Sequence, residues 1–134
     1  MSRRRLGYLL KHASLRLAEV TGPALEPYGI DGRELAVLTT LDTAEPLSQQ
    51  EAAQRLGIDR TTMVAMIDAL EAKKLVARRP HPGDRRKNAV ELTERGHDTL
   101  RAAVPAVEEA EERFLASLSG EEARLLRDVL SRLV

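Results

Sequence analysis

The sequence predicts a mainly α protein with a small β-hairpin wing, a winged helix-turn-helix carried between N- and C-terminal dimerisation helices. Three observations predict it. Residues Ser48 to Gly96 read as two short helices joined at Leu56-Gly57-Ile58, followed by a basic ribbon that folds back through His81-Pro82-Gly83-Asp84. On either side of that stretch, leucine and valine recur at helical spacing. Aromatic residues make up only 2% of a chain that is 43% hydrophobic, so the core is expected to be aliphatic.

A length of 134 residues is that of one domain, enough to bury about two-thirds of the unfolded surface. Within it, 31–96 form the winged lobe, and 1–30 and 97–134 supply the dimerisation helices. The first helix runs from about Arg3 to Val20, with Leu6, Leu9, Leu10, Ala13, Leu17 and Val20 on one face. Arg3-Arg4-Arg5 ahead of it either touches phosphate or frays in solvent. Thr21-Gly22-Pro23 is expected to stop or loosen this helix, and Leu25 to Ile30 to connect it onward. Asp31, with Glu34 three residues on, caps the next helix before Leu35, Leu38 and Leu41.

Ser48-Gln49-Gln50-Glu51 is a second capping box, with Ala52, Ala53 and Leu56 as its inward face. Asp59 begins the following helix by accepting from free N–H groups of its first turn. Ile58 and Met63 occupy the staple positions around that cap. Met63, Met66, Ile67, Leu70 and Leu75 then face the core. Arg60, Thr61, Thr62, Val64, Ala65 and Asp68 are left looking outward. In a helix-turn-helix this part of the second helix meets base edges in the major groove.

Val76–Arg79 and Asn88–Leu92 read as short strands, with Val90 and Leu92 alternating against Ala89 and Glu91. Pro80, Pro82 and Gly83 break any helix between them. After the hairpin, Thr93 caps a long helix containing Leu100, Val104, Val107, Phe114, Leu115 and Leu118. Pro105 inside it predicts either a kink near Arg101–Pro105 or a division into two helices. Ser119-Gly120-Glu121-Glu122 caps a last helix with Leu125, Leu126, Val129, Leu130 and Leu133 on its apolar face. The terminal helices carry more apolar surface than the central unit can cover. Either these helices pack on their own domain, or two chains pair through an isologous interface that hides the surface.

Twenty-one basic residues balance twenty-one acidic ones, which argues against indiscriminate electrostatic binding. The balance hides a separation. Lys73, Lys74, Arg78, Arg79, Arg85, Arg86 and Lys87 crowd the hairpin against Asp84 alone, while acids gather at Glu108–Glu112 and Glu121-Glu122. A charge run is often only a solvated loop. On a tongue directly after an outward-looking second helix, it reads as a double-stranded DNA contact. Ser48, Gln49, Lys73, Lys74, Arg78 and Arg79 are the expected phosphate contacts. A winged-helix module that docks a protein, with the wing as its surface, is the alternative.

Gly83-Asp84-Arg85-Arg86 followed by Val90-Glu91-Leu92-Thr93-Glu94-Arg95-Gly96 resembles the wing signature of the MarR family of bacterial transcription regulators. Leu56-Gly57-Ile58-Asp59-Arg60-Thr61-Thr62, Leu70-Glu71 and Leu75-Val76 resemble the same family. The resemblance implies a homodimer on an inverted-repeat operator, more often a repressor, with release by a small aromatic or anionic effector. It implies that Arg86 enters the minor groove, that Asp84 orients it, and that Arg85 is a close second candidate; Lys87 is the further basic residue expected to contact DNA on the wing. Val64 and Ala65 depart from the pattern, since relatives often carry polar or basic residues there. Apolar side chains at these positions can contact thymine methyls. The resemblance places an effector pocket between the dimer helices and the DNA-binding lobe. There Tyr8, His12 and Tyr28 either line a cavity or serve as ordinary packing and surface residues.

No enzyme is expected. His12, His81 and His97 are scattered without metal-ligand spacing, and Ser48 and Thr61 lack an activating base. No glycine loop for phosphates is present, and neither cofactor nor metal is expected. With no cysteine, thiol-based redox sensing is ruled out. No apolar run is long enough to span a bilayer, and Met1-Ser2-Arg3-Arg4-Arg5 leads into no sustained apolar region. A cytoplasmic location is expected.

Overall fold

The computed structural model describes residues 4–134, apart from the side chain of Arg85. Arg3 of the N-terminal arginine run therefore lies outside the described residues. Helix α1 spans Leu6–Leu25 and ends in a 3-10 turn over Glu26–Tyr28. Helix α2 (Gly32–Leu41), a two-residue strand β1 (Leu47–Ser48), and helices α3 (Gln49–Leu56) and α4 (Arg60–Ala72) follow. Strands β2 (Val76–His81) and β3 (Asp84–Leu92) form the wing, and α5 (Glu94–Phe114) and α6 (Gly120–Ser131) complete the chain.

The local start signals operate as expected. Asp31–Glu34, Ser48–Glu51 and Ser119–Glu122 each close a reciprocal capping box, and Thr93 Oγ1 accepts from the Gly96 N–H at 3.0 Å. Each cap satisfies donors that a helix cannot satisfy itself.

Neither proline ends or divides its helix. Helix α1 passes through Thr21-Gly22-Pro23 and continues to Leu25. Proline removes one intrahelical donor, but Leu25 is fully buried in the core and holds the last turn in place. Pro105 likewise lies within one unbroken α5 and divides nothing. Both Pro105 and Arg101, whose carbonyl loses that donor, face solvent, so water can take the orphaned acceptor. Helix α5 stops at Phe114, short of Leu115 and Leu118, which fall in the turn before the Ser119 cap.

The sheet is antiparallel in the order β1-β3-β2, so β3 is central. Strand β1 was not expected; it pairs Leu47 with Val90 and Ser48 with Ala89. This third strand covers Ala89, which is fully buried rather than outward-facing. The wing strands extend beyond their expected ends, and Pro80 sits on edge strand β2 beside a register irregularity at His81. An edge is where a strand tolerates proline.

The core is aliphatic. Leu25, Val37, Leu38, Met63, Ile67, Leu70 and Val90 are its largest fully buried side chains. The terminal helices contribute little to it. Leu6, Leu9, Leu10 and Leu15 of α1 are exposed, as are Leu125, Leu126, Val129 and Leu130 of α6. Among the described residues, no helix is long and apolar enough to cross a membrane.

One junction ties the winged lobe to α5. Lys74 takes a left-handed conformation, with φ of 64°. Its carbonyl accepts from Thr93 Oγ1 at 2.6 Å, and the Leu75 carbonyl accepts from the Thr93 N–H at 3.0 Å. Gly96 packs so closely beneath Leu75 that a Cβ there would collide with the Leu75 carbonyl oxygen. Gly96→Ala is therefore expected to lower stability by about 2–3 kcal/mol, through backbone displacement rather than lost contacts. Thermal melting at a fixed protein concentration measures it, and an unchanged midpoint would refute the collision.

Candidate nucleic-acid interface

The face built by α3, α4 and the wing begins at a tight turn. Gly57 adopts φ of 66°, a left-handed conformation that glycine enters without penalty, and it closes α3. Asp59 then opens α4. The Thr62 N–H donates to Asp59 Oδ1 at 2.8 Å, and the Thr62 hydroxyl donates to Oδ2 at 2.8 Å. These two bonds, backbone first, hold the Asp59 carboxyl below its ordinary value. Ser48 does the same for Glu51, with smaller contributions from His81 and Lys87. For a carboxyl lowered on folding, the stabilisation is present above the ordinary carboxylate range. It is lost as pH falls through the lowered folded-state value.

Met63, Ile67 and Leu70 turn inward from α4, while Arg60, Thr61 and Ala65 are exposed and Thr62 and Val64 half-buried. Of the outward set named from spacing, Arg60 faces the wing across a concavity of about 680 Å³, with Gln49, Gln54, Arg86, Lys87 and Asn88 also among the lining residues. Thr62 and Ala65 lie on another flank of α4, in a second hollow shared with Asp31, Arg33 and Glu34 at the start of α2. Arg86 is 93% exposed. Its backbone N–H donates to Asp84 Oδ1 at 3.0 Å, and its Nε approaches the same oxygen at 3.4 Å. Asp84 therefore fixes the base of the Arg86 side chain while the guanidinium end projects. The side chain of Arg85 is outside the described residues.

The residues expected to meet phosphate divide into two groups. Lys74 is exposed, and Arg79 is exposed beside Glu91 at 3.2 Å. Ser48, Lys73 and Arg78 are instead tied inward, and Gln49 accepts from Arg78. Ser48 is buried, its hydroxyl accepting from the Glu51 N–H at 3.1 Å. Lys73 Nζ donates to Glu34 Oε2 at 2.7 Å and to the Gly29 carbonyl at 2.8 Å. Arg78, only 19% exposed, donates from Nη2 to Asp68 at 2.6 Å, from Nη1 to Glu71 at 2.7 Å and from Nε to Gln49 at 2.9 Å. Spacing alone did not reveal these two clusters. The acidic pair Asp68 and Glu71 on an outward helix flank was the available signal, because acids facing a phosphate backbone need a cation to offset them.

His81 adds a lighter tie between wing and helix. Its Nδ1 accepts from the Gly83 N–H at 3.0 Å, and its Nε2 lies 3.7 Å from Glu51. Away from this face, Tyr8 and His12 stack at 4.0 Å between ring centroids on exposed α1. Tyr28 is packed against the core from the 3-10 turn.

Two capped helices crossing at a glycine turn, with a basic antiparallel tongue beside the outward face of the second, define a winged helix-turn-helix protein. A family model described as MarR family matches residues 28–87. The chain is 31% identical to the HTH-type transcriptional repressor NicR of Pseudomonas putida, over 96% of this chain and 82% of that one. It is 35% identical to the uncharacterized HTH-type transcriptional regulator YdgJ of Bacillus subtilis, over 78% of this chain and 64% of YdgJ, so it spans a little under two-thirds of that relative. Among solved structures, the repressor CouR bound to a 23-mer DNA duplex superposes with a TM-score of 0.89 at 35% identity, covering 96% of this chain and 92% of CouR. CouR of Rhodococcus jostii bound to p-coumaroyl-CoA superposes with a TM-score of 0.83 at 28% identity, over 97% and 92% of the two chains. The chain belongs to the MarR family of transcriptional regulators.

Arg78→Ala removes the cation that joins the wing, α3 and α4, and leaves Asp68 and Glu71 unopposed. The variant is expected to lose roughly 2 kcal/mol of stability, discounted because both acids are partly solvated. Urea unfolding at fixed protein concentration measures this. A loss no greater than that of Gln49→Ala would show that the carboxylates contribute nothing.

Proposed function

We propose that the protein is a cytoplasmic, non-enzymatic transcriptional repressor that binds a palindromic DNA operator as a homodimer. The observation that carries this reading is one concave face. It joins the start of α4, at Arg60, to a wing whose Arg86 is anchored at its base by Asp84 and free at its tip, and Thr61 and Ala65 are exposed on the same helix. Arg60, Thr61, Thr62, Val64 and Ala65 address the major groove, and Arg86, with Arg85 and Lys87 beside it, the minor groove. Lys74, Arg79 and Gln49 meet phosphate, while Lys73 and Arg78 brace the lobe. The DNA-bound CouR structure supports the mode of binding.

The apolar surface left on α1 and α6 supports the dimer. Two-fold pairing through these helices sets the two α4 helices about 34 Å apart, one turn of duplex. A small anionic or aromatic effector would then act by changing that spacing. The p-coumaroyl-CoA complex of CouR supports such a ligand class, and Tyr8 and His12 are the residues here suited to stack against it.

Fluorescence anisotropy on a duplex from the protein's own promoter region, against a shuffled duplex at equal salt, tests the reading. A preference of at least about a thousandfold is expected. Arg86→Ala should weaken specific binding at least tenfold with an unchanged melting temperature, because the side chain is almost wholly exposed. Unchanged affinity would remove Arg86 from the interface. Leu126→Asp on the surface of α6 should yield a folded monomer by analytical ultracentrifugation. A variant that stays dimeric would place the pairing surface elsewhere.

A further inference from the structure

Resting on the DNA-binding reading above, we propose that this protein recognises its half-site mainly through the C5-methyl groups of thymines, with Ala65 and the Thr61 methyl as the specificity-determining contacts. The argument is an inventory of what α4 can offer a base edge. Bidentate reading of guanine needs arginine or lysine, and of adenine needs asparagine or glutamine. Between Thr61 and Ala69 the helix carries none of these. Its polar groups there are mostly committed: the Thr62 hydroxyl donates to Asp59, and the Asp68 carboxylate is held by Arg78. Arg60, at the first helical position, is the one long donor on this part of the helix.

What remains exposed on the outward stripe is small and largely apolar. Thr61 and Ala65 are exposed one turn apart, with Val64 half-buried at their flank and Ala69 exposed beyond. Side chains this short let the helix axis approach the groove floor closely. Cβ atoms at this spacing lie about 5–6 Å apart. Base steps rise about 3.4 Å, so the pair can meet methyls on adjacent or next-adjacent steps. Burying one methyl is worth a factor of about three to four in affinity.

The test starts from duplexes selected out of a random library by the intact protein. Each thymine of the selected half-site is then replaced singly by deoxyuridine, which removes only the methyl, and affinity is read by fluorescence anisotropy. One or two positions per half-site are expected to lose about threefold or more. Ala65→Gly should abolish the loss at one of them, and Ala65→Ser, which keeps the helix intact, should reduce it. Specific binding that is indifferent to every deoxyuridine overturns the inference while leaving the regulator reading standing. A selection that returns no preferred sequence overturns both.

Discussion

The guanidinium of Arg78 is the contact on which the DNA-facing side depends. Three separate elements converge on it: α3 through Gln49, α4 through Asp68 and Glu71, and β2 through its own backbone. Without it the base of the wing would keep its pairing with β1 and its buried Val76 and Val90. The outer part of the tongue would lose a three-donor tie to α3 and α4, and a lone hairpin has little stability of its own. The planar fork of arginine suits this position because it offers several donors in fixed directions. It also removes an electrostatic contradiction, since it neutralises two acids on the helix proposed to approach a polyanion.

Lys73 plays the same part on the opposite side of α4. Its ammonium closes the gap to Glu34, the N3 residue of the α2 capping box, and to the Gly29 carbonyl. One carboxylate therefore serves both a helix start and a long-range tie. The two ends of the second helix are fixed by different means, the first by the Asp59 cap and the last by these basic residues. The stretch between is left free to present its outward stripe.

Much of the architecture was legible because its determinants are local. Capping boxes span four residues, the glycine turn one, and the wing turn two, so their partners are visible in the same short window. The failures share a cause in distant contacts. Pro23 does not end α1 because Leu25 is drawn into a core formed by other elements, and Ala89 is buried because β1 arrives from forty residues upstream to cover it. Charge alone groups Lys73 and Arg78 with phosphate-facing residues. Only the folded chain supplies Glu34 to one and Asp68 and Glu71 to the other. The outward face of α4 was readable from periodicity, whereas the commitment of Thr62 and Asp68 to neighbours was not.

The contact between Gly96 and Leu75 has a mechanical consequence. With no side chain between them, the start of α5 and the end of the α4 unit move as one piece, and α5 becomes a lever arm. Its 21 residues extend about 31 Å. Over that length a tilt of about 5° displaces the far end by roughly 2.7 Å, most of one base step. In the proposed dimer, a joint this stiff converts a small angular change at the paired ends of two chains into a loss of phase with the double helix.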